Sequence, residues 1–170
     1  MELKIVDDFL SDYHANLISK SLRGIDDIPF PWYFINDLNG VERIGNYYFN
    51  HTLIDNYKHY SPNWLHLFTP IIDKLSISIS NVYRLKVNLY PRTQRRVHHS
   101  THSDYSSGKG MYTCLYYVND NDGITVFDGK FKSVRSKRNR IILFDGSNPH
   151  HSTTPTNSNY RISVNFNYRQ

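Results

Sequence analysis

The stretch Tyr160-Arg161-Ile162-Ser163-Val164-Asn165-Phe166-Asn167-Tyr168 alternates strictly between two kinds of side chain. In an extended chain Ile162, Val164 and Phe166 share one face, while Arg161, Ser163, Asn165 and Asn167 share the other. Such a strand either wets its polar face or lines a cavity with it. The same period of two appears over residues 82–90, where Tyr83, Leu85, Val87 and Leu89 alternate with Arg84, Lys86, Asn88 and Tyr90. Further strands are expected over residues 111–118, 124–127, 131–134 and 140–144, with Gly108, Gly110, Gly123, Gly129 and Gly146 marking turns. Short strands at this spacing predict a mainly β protein with flanking α: a double-stranded β-helix, or jelly roll, of the cupin-like kind.

The chain before this region reads differently. A short strand is expected near residues 3–6, followed by a helix capped by Ser11, with Tyr13, Leu17, Ile18 and Leu22 on one face and Gly24 at its end. A second helical stretch begins near Ser61-Pro62 and carries Leu65, Phe68, Ile72 and Leu75, with Pro70 kinking or splitting it. There is no repeat and no low-complexity linker. The expectation is one domain over residues 1–170: helix-rich support over about 1–80, and a catalytic jelly-roll core over about 82–168.

Composition bounds the setting. Hydrophobic content of 39% with 15% aromatic residues suits a folded core. The single cysteine, Cys114, excludes an internal disulfide and fits a reducing compartment. Acidic residues interrupt the first nine positions where a signal peptide needs an apolar run, and no run approaches membrane-spanning length. A cytoplasmic, monomeric protein without a membrane partner is expected. The net charge of +5 leaves nucleic acid open as a partner, with Lys130, Lys132, Arg135, Lys137, Arg138 and Arg140 crowding one stretch. The favoured reading of that stretch is a solvated hairpin whose cations discourage edge pairing.

Two motifs carry chemistry. His102-Ser103-Asp104 puts an imidazole and a carboxylate on one side of an extended segment. Asn148-Pro149-His150-His151 offers a third ligand, at His150 or His151. Two histidines and one carboxylate on one face of a metal leave open positions, the ligand set of non-haem iron(II) oxygenases, although zinc hydrolases use the same residue types. Arg161 follows His150 by eleven positions, on the polar strand face, where a guanidinium suits a carboxylate. His98 and His99 lie in an arginine-rich loop and are read as exposed, outside the site.

Several ordered segments strengthen this. Asn88-Leu89-Tyr90-Pro91 precedes the His-x-Asp motif; Thr113-Cys114-Leu115-Tyr116-Tyr117-Val118-Asn119 follows it; then come Asp122-Gly123-Ile124-Thr125-Val126-Phe127, Phe144-Asp145-Gly146-Ser147-Asn148-Pro149-His150 and Arg161-Ile162-Ser163-Val164-Asn165-Phe166. Together they resemble the catalytic jelly roll of 2-oxoglutarate/iron(II) dioxygenases, particularly the prolyl 4-hydroxylase-like branch, in a compact phage- or bacterium-type form. Asp122 departs from the pattern, in which a glycine stands. The resemblance implies Fe(II) held by His102, Asp104 and, in preference to His151, His150. It implies 2-oxoglutarate as cosubstrate, its distal carboxylate on Arg161 with Tyr117, Tyr90 and Ser163 beside it. Dioxygen would be consumed, ascorbate would serve as a supporting reductant, and a C–H bond would be hydroxylated as 2-oxoglutarate becomes succinate. A peptidyl or prolyl substrate follows from the branch. Alternatives are a nucleic acid, a free amino acid, or a non-catalytic cupin-like metal-binding module; Arg161 and Tyr117 speak against the module, which needs no such clamp.

Overall fold

The computed structural model describes residues 2–24, 29–36, 47–105, 110–129 and 133–169. In chain order the elements are β1 (Lys4–Val6), α1 (Asp12–Leu22), β2 (Tyr33–Ile35), β3 (Tyr48–Asp55), β4 (Lys58–His59), a 3-10 turn (Pro62–Leu67) and α2 (Thr69–Lys74). A second 3-10 turn (Ile79–Asn81) leads into β5 (Val82–Pro91), β6 (Met111–Tyr117), β7 (Ile124–Phe127), β8 (Ser133–Arg135), β9 (Arg140–Asp145), β10 (His150–Ser152) and β11 (Tyr160–Arg169). The strands form two antiparallel sheets. The larger runs β1-β9-β6-β11-β5-β3-β2, with β4 on β3; the smaller runs β10-β7-β8. The predicted jelly roll is what forms.

Alternation in β5 and β11 decides what each face of the large sheet touches. Leu85, Val87, Ile162, Val164 and Phe166 join a core with Ile18 and Leu22 of α1, Phe68, and Ile71 and Ile72 of α2. Each such buried side chain contributes roughly 1.5–3 kcal/mol. The opposite face looks toward the small sheet. There Leu115, Tyr117, Phe127, Val134, Ile142 and Phe144 pack between the sheets, and beyond them the gap opens into a cavity.

The first eighty residues hold more strand than the helix-rich expectation. They supply β1, β2 and β3 to the large sheet, with β3 paired to the central β5. Residues 48–55 escape a period-two reading because a register shift between Thr52 and Ile54 buries Leu53 and Ile54 side by side. Ser11 caps α1 as predicted, its Oγ accepting from the His14 backbone N–H. The packed stripe, however, is Ala15, Ile18 and Leu22, and Tyr13 lies out in solvent. The second helical stretch is split at Phe68, with Pro70 in the first turn of α2, where its missing N–H costs no bond.

The described part of the basic stretch runs along an edge: β8 ends the small sheet with Arg135 exposed, and the cations after it also make surface ion pairs. Arg140 and Lys137 pair with Asp7, and Arg138 reaches Asp12 and Asn16, so these cations fasten β9 to the N-terminal segment and α1. Lys130, Phe131 and Lys132 lie outside the described residues, as does Gly108. No helix among the described residues is long and apolar enough to cross a membrane.

Candidate active site

The cavity has a volume of about 240 Å³ and takes its walls from both sheets. β5 contributes Arg84, Lys86, Asn88 and Tyr90, and β11 contributes Arg161, Ser163 and Asn165, the polar faces that the alternation set apart. Their register is Tyr90 opposite Arg161, Asn88 opposite Ser163, and Lys86 opposite Asn165. The small sheet adds His150, Ser152 and Thr125, and the loop after β5 adds His102, Ser103 and Asp104.

The loop docks by strand-like pairing. His102 and His150 exchange backbone hydrogen bonds, each 2.9 Å from N to O, which sets their rings 4.6 Å apart. Asp104 joins them, and the ligand atoms of the three residues all lie within 4.8 Å of one another. The His150 Nδ1 faces the Asn148 carbonyl at 2.9 Å. A carbonyl only accepts, so Nδ1 carries the hydrogen and the Nε2 lone pair is left to face Asp104, 3.9 Å away. Residues 150 and 151 point to opposite sides of β10. His151 is accordingly turned away, its ring nitrogens against His98 Nδ1 at 3.0 Å and Thr101 Oγ1 at 3.2 Å.

Electrostatics keep the cluster ready for a cation. Burial lowers the pKa of His102, with His150 adding to the effect, so the imidazole is neutral near pH 7. Burial pushes the Asp104 carboxyl the other way. The Arg84 guanidinium, His150 and the Thr113 hydroxyl outweigh it and hold the pKa below the usual carboxylate range. Arg84 Nη2 donates to Asp104 Oδ1 at 2.6 Å, Asn167 Nδ2 donates to Oδ2 at 3.0 Å, and Thr113 Oγ1 donates to the same Oδ2. Two nitrogens and one carboxylate, buried and oriented, fit a divalent cation with open positions.

At the other end Arg161 is almost fully buried, at 1% exposure. Its Nε donates to Ser136 Oγ, Nη1 to the Ile124 and Thr153 carbonyls, and Nη2 to Thr125 Oγ1. Those four bonds leave one N–H, on Nη2, instead of the two a bidentate grip needs. No carboxylate lies within ion-pair distance of this guanidinium among the described residues. Gly123 makes the packing feasible: a Cβ there would stand 2.8 Å from Arg161 Cδ and 2.7 Å from Asn121 Oδ1. Tyr90 and Ser163 lie in the cavity wall. Tyr117 stands behind it, fully buried, with its hydroxyl donated to Thr125 Oγ1 at 2.8 Å.

Sequence reading missed the set around Asp104, namely Arg84, Thr113 and Asn167, because they converge from three strands. It also misplaced His99. That ring is buried, stacked against Tyr90 at 4.9 Å and bonded to Ser152 Oγ at 2.8 Å, whereas His98 is exposed as expected. The Arg161 and Asn165 alternation was the available signal for the wall.

The profile of the 2OG-Fe(II) oxygenase superfamily matches residues 85–169, half of the chain, including His102, Asp104, His150 and Arg161. The chain belongs to this superfamily. Its fold is similar to a prolyl-4-hydroxylase from Pseudomonas putida, with a TM-score of 0.63 and 15% identity over 99% of this chain and 92% of that one. It is similar too to a prolyl hydroxylase from Trichoplax adhaerens, solved with a hypoxia-inducible-factor oxygen degradation domain peptide fragment. The TM-score there is 0.63, with 16% identity over 98% of this chain and 83% of that one. The α-ketoglutarate-dependent epimerase SnoN of nogalamycin biosynthesis gives 0.67 and 14%, over 99% and 76%. No curated protein matches by sequence. At these identities the likeness shows the fold; this oxygenase shares it with enzymes of different outcomes.

Proposed function

We propose that this oxygenase binds Fe(II) through His102, Asp104 and His150, holds 2-oxoglutarate by its distal carboxylate at Arg161, and hydroxylates a C–H bond of a peptidyl substrate, a prolyl residue in first place. One observation carries the reading: a buried guanidinium without a carboxylate partner among the described residues shares a cavity with a His–Asp–His cluster. A buried unpaired cation costs several kcal/mol, which an anionic ligand repays.

With dioxygen, the bound iron and keto acid supply the oxidising equivalent that turns C–H into C–OH as carbon dioxide and succinate form. The chain's own residues do the rest. Asn148 fixes the tautomer of His150, and Arg84, Thr113 and Asn167 fix both oxygens of Asp104. Tyr117 fixes Thr125, which in turn holds the guanidinium, so the anchor is rigid before the cosubstrate arrives. Tyr90 and Ser163 flank the carboxylate from the wall.

The peptidyl assignment draws on the two prolyl hydroxylases of similar fold. Against the nucleic-acid alternative, Lys137, Arg138 and Arg140 share their charge with Asp7 and Asp12, although the net charge of +5 still stands behind it. The test is succinate release from 2-oxoglutarate by the iron-loaded chain with proline-containing peptides. Asp104→Ala is expected to abolish it. Turnover that persists in this variant refutes the metal assignment, and turnover stimulated by oligonucleotides but by no peptide refutes the substrate class.

A further inference from the structure

Besides Arg161, and Arg84 which is paired with Asp104, a further cation stands in the cavity, and the oxygenase reading gives it no role. Lys86 Nζ donates to the Tyr48 hydroxyl at 2.9 Å and lies 5.0 Å from the centre of that ring. The Tyr48 ring is stacked on Tyr90 at 5.6 Å and 22°, and Tyr90 in turn lies 5.7 Å from the Arg161 guanidinium carbon. Two stacked tyrosines therefore separate the two cations. A carboxylate seated at Arg161 does not reach Lys86, and no protein carboxylate lies within ion-pair distance of Lys86 among the described residues.

The donors and acceptors around it are unbalanced in a definite way. An ammonium has three N–H groups, and one goes to Tyr48. The Tyr48 oxygen also receives the Asn50 Nδ2 hydrogen at 3.4 Å, so both its lone pairs are used and its own O–H hydrogen is left to give. Lys86 and Tyr48 thus offer a cluster of donors to an oxyanion. Beside them the Asn88 and Asn165 Oδ1 atoms are buried acceptors without a partner among the described residues, in residues only 7% and 8% exposed, and both residues line the cavity. Asn165 is the direct neighbour of Lys86 across the strand pair.

We propose that Lys86 and Tyr48 form a subsite for a carboxylate of the substrate, and that Asn88 and Asn165 accept hydrogen bonds from its neighbouring N–H groups. A carboxylate with N–H donors close by is the chemistry of an amino-acid unit. The subsite takes either the α-carboxylate of a free amino acid or an acidic side chain next to the oxidised residue of a peptide. This assignment rests on the oxygenase reading above, which supplies the position of the cosubstrate.

The test uses the full chain loaded with Mn(II) and 2-oxoglutarate, so that binding is read without turnover. Calorimetric titrations compare the standard free L-amino acids with their amides. A second arm compares capped peptides carrying Glu or Asp on either side of proline with their Gln and Asn counterparts. An acid is expected to bind about tenfold more tightly than its matched amide, the scale of a charge-assisted hydrogen bond. A preference in the first arm identifies a free amino acid, and one in the second identifies an acidic peptide. Lys86→Met should erase the preference and Lys86→Arg should keep most of it, both variants retaining the wild-type circular dichroism. Equal binding of acids and amides throughout both arms overturns the proposal. So does a preference that survives in Lys86→Met, or a Lys86→Met variant that loses affinity for 2-oxoglutarate and for no acidic probe. Failure of wild type to bind 2-oxoglutarate at all would instead sink the parent reading, and the acid–amide comparison would still be measurable on the Mn(II) form.

Discussion

Replacing Arg161 by methionine separates a structural arginine from one that awaits an anion. The side chain is buried and gives four hydrogen bonds, two of them to the Ile124 and Thr153 carbonyls. Methionine keeps the bulk and leaves the Thr153 carbonyl unpaired, at about 1–3 kcal/mol, while the Ile124 carbonyl keeps its bond from the Thr153 backbone N–H. The Ser136 and Thr125 hydroxyls can rotate, and Thr125 keeps its bond from Tyr117. Against this loss stands the removal of a buried, uncompensated cation, worth several kcal/mol. The two terms nearly cancel, so urea unfolding of the ligand-free Arg161→Met protein should fall within about 2 kcal/mol of wild type. The ligand response should differ sharply. At a 2-oxoglutarate concentration one hundred times its Kd, wild type loaded with Mn(II) gains about 2.7 kcal/mol. Losing a charge-assisted bond weakens binding roughly 10- to 150-fold, which cuts that gain to about 0.3–1.4 kcal/mol. An undiminished gain in Arg161→Met refutes the carboxylate anchor. A ligand-free loss beyond about 4 kcal/mol refutes the uncompensated charge.

Three further outcomes follow from the geometry. His150→Ala should weaken Mn(II) binding at least about a hundredfold, while His151→Ala, removing a ring already turned toward His98 and Thr101, should stay within about threefold in a calorimetric titration. Gly123→Ala sets a methyl group 2.8 Å from Arg161 Cδ; a loss of about 1–3 kcal/mol in urea unfolding, with weaker 2-oxoglutarate binding, is expected. His99 has its pKa lowered to about 3, by burial first and by the Arg161 charge second. The unfolded chain therefore binds the extra proton between about pH 6.5 and pH 3, so this residue's contribution is complete above 6.5 and is lost as pH falls through that window, at up to about 1.4 kcal/mol per pH unit. His99→Gln should flatten that part of the stability profile, and an unchanged slope would contradict the buried neutral imidazole.

The fold was legible where one side-chain period governs a whole element. β5 and β11 each have one face on a core and one on a cavity, so alternation survives intact in their residues. It fails in β3, where the register shift buries neighbours Leu53 and Ile54, and in α1, where Tyr13 and Leu17 imitate a packing stripe that Ala15 and Ser19 occupy. The grouping of His102, Asp104 and His150 followed from spacing plus resemblance, because an extended segment and a strand each present alternate residues to one side. Arg84, Asn167 and Lys86 carry no such mark. Their meaning comes from partners 83, 63 and 38 positions away in the chain, at Asn167, Asp104 and Tyr48, and only the sheet order brings those together. The ion pairs of the basic stretch went unread for the same reason: the carboxylates that meet it stand at positions 7 and 12.

Polar groups divide into two populations, and the division argues for function independently of family. Away from the cavity, Asn139 and Asp122 are densely bonded. Asn139 Oδ1 accepts from Leu10 N and Tyr116 Oη while its Nδ2 donates to the Leu10 carbonyl, and Asp122 accepts from both N–H and O–H of Thr156. The buried side-chain atoms without partners among the described residues belong to Asn88, Asn165, His99 and Tyr105. The first two line the cavity, His99 stacks on Tyr90 of its wall, and Tyr105 follows Asp104. Each unpaired group costs roughly 1–3 kcal/mol, and a core assembled only for stability would shed such costs. The opposite face of the same two strands does so, with Leu85, Val87, Ile162, Val164 and Phe166 buried in an apolar core. Unmet acceptors, and a guanidinium and an ammonium without a carboxylate partner among the described residues, meet in one 240 Å³ space beside a His–Asp–His cluster, which argues for the proposed ligand set of anionic groups, N–H donors and a divalent cation.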